Sequence, residues 1–511
     1  MPDFFPFEQI LLAHHRRYAY LDCMHHGTPF FQGFSSILFG RPALSGLQKT
    51  LREVAALNTL SDFFKTFGFL IPDALLRRRS SGANSRQRRF TLHVTFWAFL
   101  AQTLAPETSC RDVVRKVQAW WLLRAPKSSA GSSSSAAYTK ARQRLEPKTI
   151  RSIGDHLIER LEARVQPSQL WLGRRVRVVD GTTVSMPDSP ENQEKYPQPS
   201  SQKAGCGFPQ MRVVGIFSLA SGALLDFAKS SIHVHESILF VQLMSILKIG
   251  DIVLADRGFC SFHAFWKMSQ AGIDALMRLN GVRKVDFRKG EKLGPNDRLI
   301  AWKKPAQRPK GCTQEEYDAL PASMILRHVR LTVSARGHRS QTITLVTTLL
   351  DPVAYPLQQL GELYLQRWSV ELHFREIKIT LGMDVLRCQT PAMVEKEVMM
   401  HSVSYNLVRS LMQEAAIRHQ VDLTRISFKG TVDTLRHWSA SLEAMRGMPR
   451  KQQALLGAMF ELIAKDLVPF RPGREEPRAK KRRPKNYHLL TKPRHEMRIS
   501  GHRNRPKSTL S

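Results

Sequence analysis

The stretch Asp251-Ile252-Val253-Leu254-Ala255-Asp256-Arg257-Gly258-Phe259 decides how the chain is read. Its apolar run leaves no polar face, so it predicts a strand buried on both sides, as in sheets covered by helices. The run ends in an acid and a glycine turn, and open α/β sheets place their ligands near the carboxyl ends of such strands. Upstream, residues 175–184 are rich in Val and Thr and carry a second acid in Val178-Val179-Asp180-Gly181-Thr182-Thr183. Residues 211–219 and 223–229 read as strands joined by Ala220-Ser221-Gly222, a hairpin signal. Residues 231–247 read as a helix with a serine near its start, and 273–279 as a further strand after a second helix. The order βββαβαβ predicts an α/β fold, a mixed sheet flanked by helices.

Around this centre the pattern changes. Residues 1–165 read as mostly helical, with apolar spacing at 47–69, 90–104 and 111–123 and basic clusters at 77–79 and 86–89. A Ser-rich turn, 128–135, feeds a segment carrying Tyr138, Lys140, Arg142 and Arg144, which suits a helix-turn-helix reader of duplex DNA or, equally, a solvated basic helix. Residues 185–207, rich in Pro, Gln and Ser, read as a mobile or DNA-facing connection rather than core. Short strand-like pieces at 298–302, 324–334 and 341–350 predict an all-β insertion over 280–351. Residues 391–420 and 427–467 read as helical. The tail, 470–511, carries 14 Lys or Arg against 3 acids, so it is expected to stay disordered until it meets phosphate.

The 511 residues carry a net charge of +34, spread along the whole chain, which points to an extended polyanion as partner. Nucleic acid is the first choice and an anionic membrane surface the second. No apolar run reaches the 18 residues of a membrane span, and the N-terminus lacks a basic start followed by an apolar stretch, so a cytoplasmic protein is expected. The six cysteines stand singly, which indicates neither a zinc module nor a disulfide framework. The pairs His14-His15 and His25-His26 are poor metal ligands, because adjacent residues point apart.

A second organising stretch, residues 361–382, predicts a helix. Offsets of three, four and seven put Tyr364, Arg367, Glu371 and Lys378 on one face. Taken alone, this is also how a solvated face with one Arg367–Glu371 pair looks, worth ~0.2–0.5 kcal/mol. Asp180-Gly181 alone could be a hairpin turn, and Asp256-Arg257-Gly258 the plain end of a strand. Taken together, three acids on three elements suggest one site. Two carboxylates ~4 Å apart repel by ~4 kcal/mol at an effective dielectric of ~20, and a divalent cation removes that cost. Oxygen ligands without His or Cys favour Mg²⁺ or Mn²⁺, and two such ions would activate a nucleophile and steady the leaving oxygen of a phosphodiester. Arg367 and Lys378 would clamp adjacent phosphates.

The spacing Tyr364-x2-Arg367-x3-Glu371-x6-Lys378 resembles the Tyr-Arg-Glu-Lys signature of the insertion-sequence-4 family of DDE transposases. Val-Val-Asp180-Gly-Thr-Thr and Leu-Ala-Asp256-Arg-Gly-Phe resemble that family's first and second acid motifs, and residues 137–145 are similar to it less specifically. The resemblance implies an RNase H-like core over 166–390, interrupted by the insertion. It further implies a DNA-end-binding region at 1–165, a C-terminal helical region at 391–469 and the basic tail. It makes Asp180, Asp256 and Glu371 metal ligands, with Tyr364, Arg367 and Lys378 contacting double-stranded DNA at an element end. Cleavage through a hairpin needs an aromatic to receive a rotated base, for which Trp302 and Trp368 are the candidates. Pairing two ends implies a homodimer. A DNA-binding protein that no longer cuts and a structure-specific nuclease of the same fold are the alternatives.

Overall fold

The computed structural model describes residues 71, 73–77, 88–124, 129, 131–281, 283, 286–333, 341–444, 448–469, 487 and 489–497. The helix expected at 47–69, both histidine pairs, most of the clusters at 77–79 and 86–89 and most of the tail lie outside the described residues. Strands β1 (Val176–Ser185), β2 (Gln210–Ser218) and β3 (Leu224–Ser231) form an antiparallel meander. Strands β4 (Ile252–Ala255) and β5 (Asp274–Arg278) continue it from β1 in parallel. All four residues of β4 are buried, which is what an uninterrupted apolar run predicts for a central strand. The Val- and Thr-rich β1 lies between β2 and β4, its first four residues buried.

The insertion differs from its expectation in two ways. Its strands β6 (Glu291–Gly294), β7 (Asp297–Lys303), β8 (Ser323–Val333) and β9 (Gln341–Thr347) extend the same sheet, because β9 pairs antiparallel with β5 through Leu276 and Thr347. One nine-stranded sheet results, in the order β3-β2-β1-β4-β5-β9-β8-β7-β6. A five-residue helix, Gln314–Asp318, also interrupts the strands, so the insertion is not all-β.

The helices in chain order are α1 (Leu92–Leu104), α2 (Cys110–Arg124), α3 (Ala136–Arg144), α4 (Pro147–Ala163), α5 (Pro190–Lys195), α6 (Glu236–Leu243) and α7 (Phe262–Gln270). They continue with α8 (Gln314–Asp318), α9 (Leu357–Leu365), α10 (Ser369–Arg375), α11 (Pro391–His419), α12 (Phe428–Ala444) and α13 (Pro449–Lys465). The helix expected from residue 231 begins only at Glu236, where the His235 ring accepts the Ser237 N–H and so caps it. A single apolar core runs under both halves of the sheet, with Phe265 and Phe240 packed among Val253, Met277, Leu326 and Trp302. Burying core and insertion side chains in one layer makes the insertion a part of the folding unit.

The chain divides into two compact units: Met1–Ala98, Glu107–Arg144 and Asp433–Met459 in one, and Phe99–Pro106, Leu145–Val432 and Phe460–Ser511 in the other. Within the first, Phe90, Val113, Val117, Trp120 and Tyr138 share a core. Tyr138 is fully buried, and Arg142 lies buried with its guanidinium 5.1 Å from the Tyr138 ring. Neither reads DNA from that position, which corrects the helix-turn-helix expectation for two of its four residues. In the second unit the described part of the tail is docked. Tyr487 stacks on Phe208 at 4.5 Å, Leu490 N–H donates to Cys206, and Arg494 pairs with Asp188 and donates to the Gly205 and Gly207 carbonyls. Neither the loop 185–207 nor this part of the tail is the loose chain that its composition predicts.

Candidate active site

The strand ladder sets the first two acids. Val178 pairs in parallel register with Leu254, and Asp180, within β1, and Asp256, just past the end of β4, each stand two residues further on. Side chains two apart share a face, and adjacent strands are ~4.8 Å apart, so the two carboxyls leave the sheet side by side. Asp180 Oδ1 accepts the Gly181 N–H at 2.8 Å, and Asp256 Oδ1 accepts the Gly258 N–H at 2.7 Å. Burial pushes the Asp180 carboxyl up to about 6, against the pull of the Gly181 N–H and Arg367 and helped by the charges of Asp256 and Glu236.

Arg367 brings in the third acid. Its guanidinium lies 3.6 Å from Asp180 Oδ2 and donates to Glu371 Oε1 at 3.2 Å, so it spans the strand end and the helix. The helix is not evenly wound. Between α9 and α10 lies a 3₁₀ turn, Gln366–Trp368, and α10 passes into a π turn, Glu376–Thr380. The even stripe expected from 3.6 residues per turn is therefore broken. Tyr364 is buried, its ring centroid 6.0 Å from the Arg367 guanidinium, and burial pushes its hydroxyl up to about 12. The Arg367 side chain is 10% exposed, while that of Glu371 is 59% exposed. Lys378, on the π turn, is held by Asp384 at 2.9 Å and is no free phosphate clamp.

The two aromatics separate cleanly. Trp302 is 2% exposed, its indole N–H donates to His328 at 2.7 Å, and Arg283 covers its face at 3.9 Å. It has no open ring for a base, which corrects its selection. Trp368 is 51% exposed, one turn before Glu371, with Leu365 and Leu372 exposed beside it.

Behind the site, Arg409 of α11 anchors the helix. Fully buried in its surroundings, it donates to Glu376 at 3.0 Å, to His373 Nδ1 at 2.5 Å and to the Tyr405 hydroxyl at 3.0 Å. The Tyr405 hydroxyl in turn donates to the Gly222 carbonyl of the β2–β3 hairpin, at 2.7 Å. Arg409 holds the Glu376 carboxyl below its usual range although burial works the other way. The sequence reading missed this network, and it missed Glu236. A Cβ on Gly181 would come within 2.5 Å of the Glu236 carboxyl, which Arg212 Nε faces at 3.6 Å. The one local signal was the glycine after Asp180, where a Cβ would crowd the Glu236 carboxyl.

A model of the transposase DDE domain matches residues 171–407, a span that opens just before β1 and contains all three acids and Arg367. The transposase InsG for insertion sequence element IS4 of Escherichia coli (strain K12) is 26% identical over 426 residues, 82% of this chain and 92% of that protein. These two matches support a DDE transposase of the insertion-sequence-4 family. A putative transposase of the same organism, InsZ, is 25% identical over 194 residues, 38% of this chain and 62% of that protein. The cryo-EM structure of a piggyBac transposase synaptic complex with hairpin DNA aligns over 82% of this chain and 86% of its own. Its TM-score of 0.38 and 12% identity are too low to argue from. The transposase is a divalent-metal-dependent enzyme by its DDE domain. Among the described residues no helix is long and apolar enough to cross a membrane.

Proposed function

We propose that this transposase binds the terminal repeats of its own insertion sequence, cuts there and joins the ends to target DNA, with two Mg²⁺ or Mn²⁺ ions held by Asp180, Asp256 and Glu371. The observation that carries the reading is the placement of Asp180 on β1 and Asp256 just past β4, each two residues beyond the paired Val178 and Leu254, together with Arg367 reaching from Asp180 to Glu371. The residues suit hard cations. All three donors are carboxylates, and Asp180, raised to about 6 by burial, is a group that a cation would restore to its charged form. When bound, the ions supply Lewis acidity to an attacking water or 3′-hydroxyl and to the leaving oxygen.

The side chains do the rest. Arg367 keeps Glu371 turned toward the strand ends and donates to a phosphate as the acids take up cations. Tyr364 lies under Arg367 and limits its swing. Lys378 reaches a phosphate by exchanging Asp384 for it. Trp368 offers its open face to a base rotated out of the stack, the step that hairpin formation requires. Two protomers pair the two ends. The N-terminal residues 1–165 bind end DNA, and the +34 charge makes that affinity fall with salt at about 0.9 logarithmic units per neutralised phosphate.

The test is Asp256→Asn with end DNA in Mg²⁺. Binding should stay within a few-fold of the parent while nicking falls by on the order of 10³-fold or more. Undiminished nicking by this variant removes the assignment. A parent that binds ends without nicking them is the non-cutting binder, and one that cuts branched DNA without a strand-transfer product is the nuclease.

A further inference from the structure

We propose that His263, Cys312 and Glu316 form a second metal site, built for a borderline transition ion with Zn²⁺ foremost, that ties the insertion to helix α7. The site does not depend on the transposase reading. One ligand atom from each of the three residues lies within 4.8 Å of the other two, the one such His, Cys or acid group found among the described residues. His263 stands in the first turn of α7, and Cys312 and Glu316 flank Thr313, the cap of α8 in the insertion. His263 and Cys312 are 3% and 2% exposed.

The decisive observation is an unanswered nitrogen. His263 Nε2 is buried and makes no hydrogen bond, although Glu316 Oε2 lies 3.3 Å from it. The ring is enclosed, and a neutral imidazole there offers its lone pair, the form that binds metal. A buried polar atom without a hydrogen-bond partner is costly, and an ion answers it.

The donors match the proposed ion. Imidazole nitrogen, thiolate sulfur and carboxylate oxygen suit Zn²⁺ and disfavour Mg²⁺. Bonds of ~2.0–2.3 Å in tetrahedral geometry put ligand atoms ~3.3–3.8 Å apart, so the group closes by about an ångström. Glu316 is already aimed: its Oε2 accepts the Thr313 N–H at 3.1 Å in a capping box, and Lys267 Nζ holds Oε1 at 2.5 Å. The ion would take Oε2, with Lys267 keeping the other oxygen. The loop is also fixed. Gly311 has φ +81°, a Cβ there would meet the Ile238 side chain at 2.9 Å, and Arg308 donates to the Cys312 carbonyl at 2.6 Å. Binding replaces the Cys312 S–H bond by a sulfur–metal bond, and the proton leaves to solvent. Water fills the fourth position.

The experiment uses the full chain, stripped with a chelator and titrated with Co²⁺ in excess Mg²⁺, so that the sheet acids are occupied. One equivalent of Co²⁺ should give a thiolate-to-metal charge-transfer band, which Zn²⁺ removes on displacing the Co²⁺. Cys312→Ser should abolish the band. Glu316→Gln, at a partly exposed position that leaves the fold intact, should weaken Zn²⁺ by about tenfold or more. Absence of the band, its survival in Cys312→Ser, or unchanged Zn²⁺ affinity in Glu316→Gln overturns the proposal and leaves His263, Glu316 and Lys267 as a plain polar cluster.

Discussion

Asp180, within β1, and Asp256, just past β4, each stand two residues beyond the last paired residues of neighbouring parallel strands, and burial presses on the Asp180 carboxyl. Glu371 stands on a helix whose winding changes twice within a few residues, its side chain 59% exposed and turned by one arginine. The strand ends store the electrostatic cost of the site, and the helix supplies the adjustable member. Beneath that exposed face, Arg409 and Glu376 bind the same helix firmly to α11 and the β2–β3 hairpin. The helix is thus anchored on one side and open on the other, an arrangement that lets DNA and cations complete the site without disturbing the fold.

The largest expected effect lies on the open side. Glu371→Gln should cut nicking by on the order of 10³-fold, while thermal melting stays within ~0.5 kcal/mol of the parent, as for other exposed positions. A marked loss of stability would show that Glu371 belongs to the anchored side. Next comes Arg409→Met, which leaves Glu376 buried and unpaired. It should destabilise by ~3–5 kcal/mol in denaturant melts, and a loss under ~1 kcal/mol would mean the helix is held by packing alone.

A smaller effect, of opposite sign, distinguishes the strand ends. The folded-state value of Asp180 is about 6 against an ordinary 3.8, so the fold disfavours its charged form. For an acid raised in this way, stability is fully present below about pH 4 and is lost as pH rises through 6. Asp180→Asn should therefore stabilise the metal-free protein by ~1–3 kcal/mol at pH 7.5, with the gain vanishing near pH 4. A destabilised Asn variant at pH 7.5 would mean that Arg367 already offsets the burial. Glu376, held below its usual range, has the reverse dependence: its contribution is present above about pH 4.5 and fades as pH falls through its folded value.

Much of this was legible because strands in a covered sheet write their burial into the sequence. The all-apolar β4 and the Val- and Thr-rich β1 fall where 251–259 and 175–184 predicted, with Asp256 just past the end of β4 and Asp180 inside β1. What pairs with what is not written there. The junction of β9 with β5 joins Thr347 to Leu276 across an insertion, and no local pattern specifies it. Helix winding was hidden for a similar reason: the residues on the π turn are tied by Arg409, 33 positions beyond Glu376. Trp302 looked available because His328 and Arg283, which cover it, lie 26 and 19 positions away. Glu236 was missed because it opens an ordinary helix and meets Gly181 only after folding.

The account rests on three carboxylates sharing divalent cations at the strand ends. Anomalous scattering from crystals of the transposase with end DNA and Mn²⁺ tests this directly. It predicts peaks ~2.0–2.3 Å from oxygens of Asp180, Asp256 and Glu371. Mn²⁺ peaks bound elsewhere, with any of the three carboxyls turned away from the metal, would contradict it.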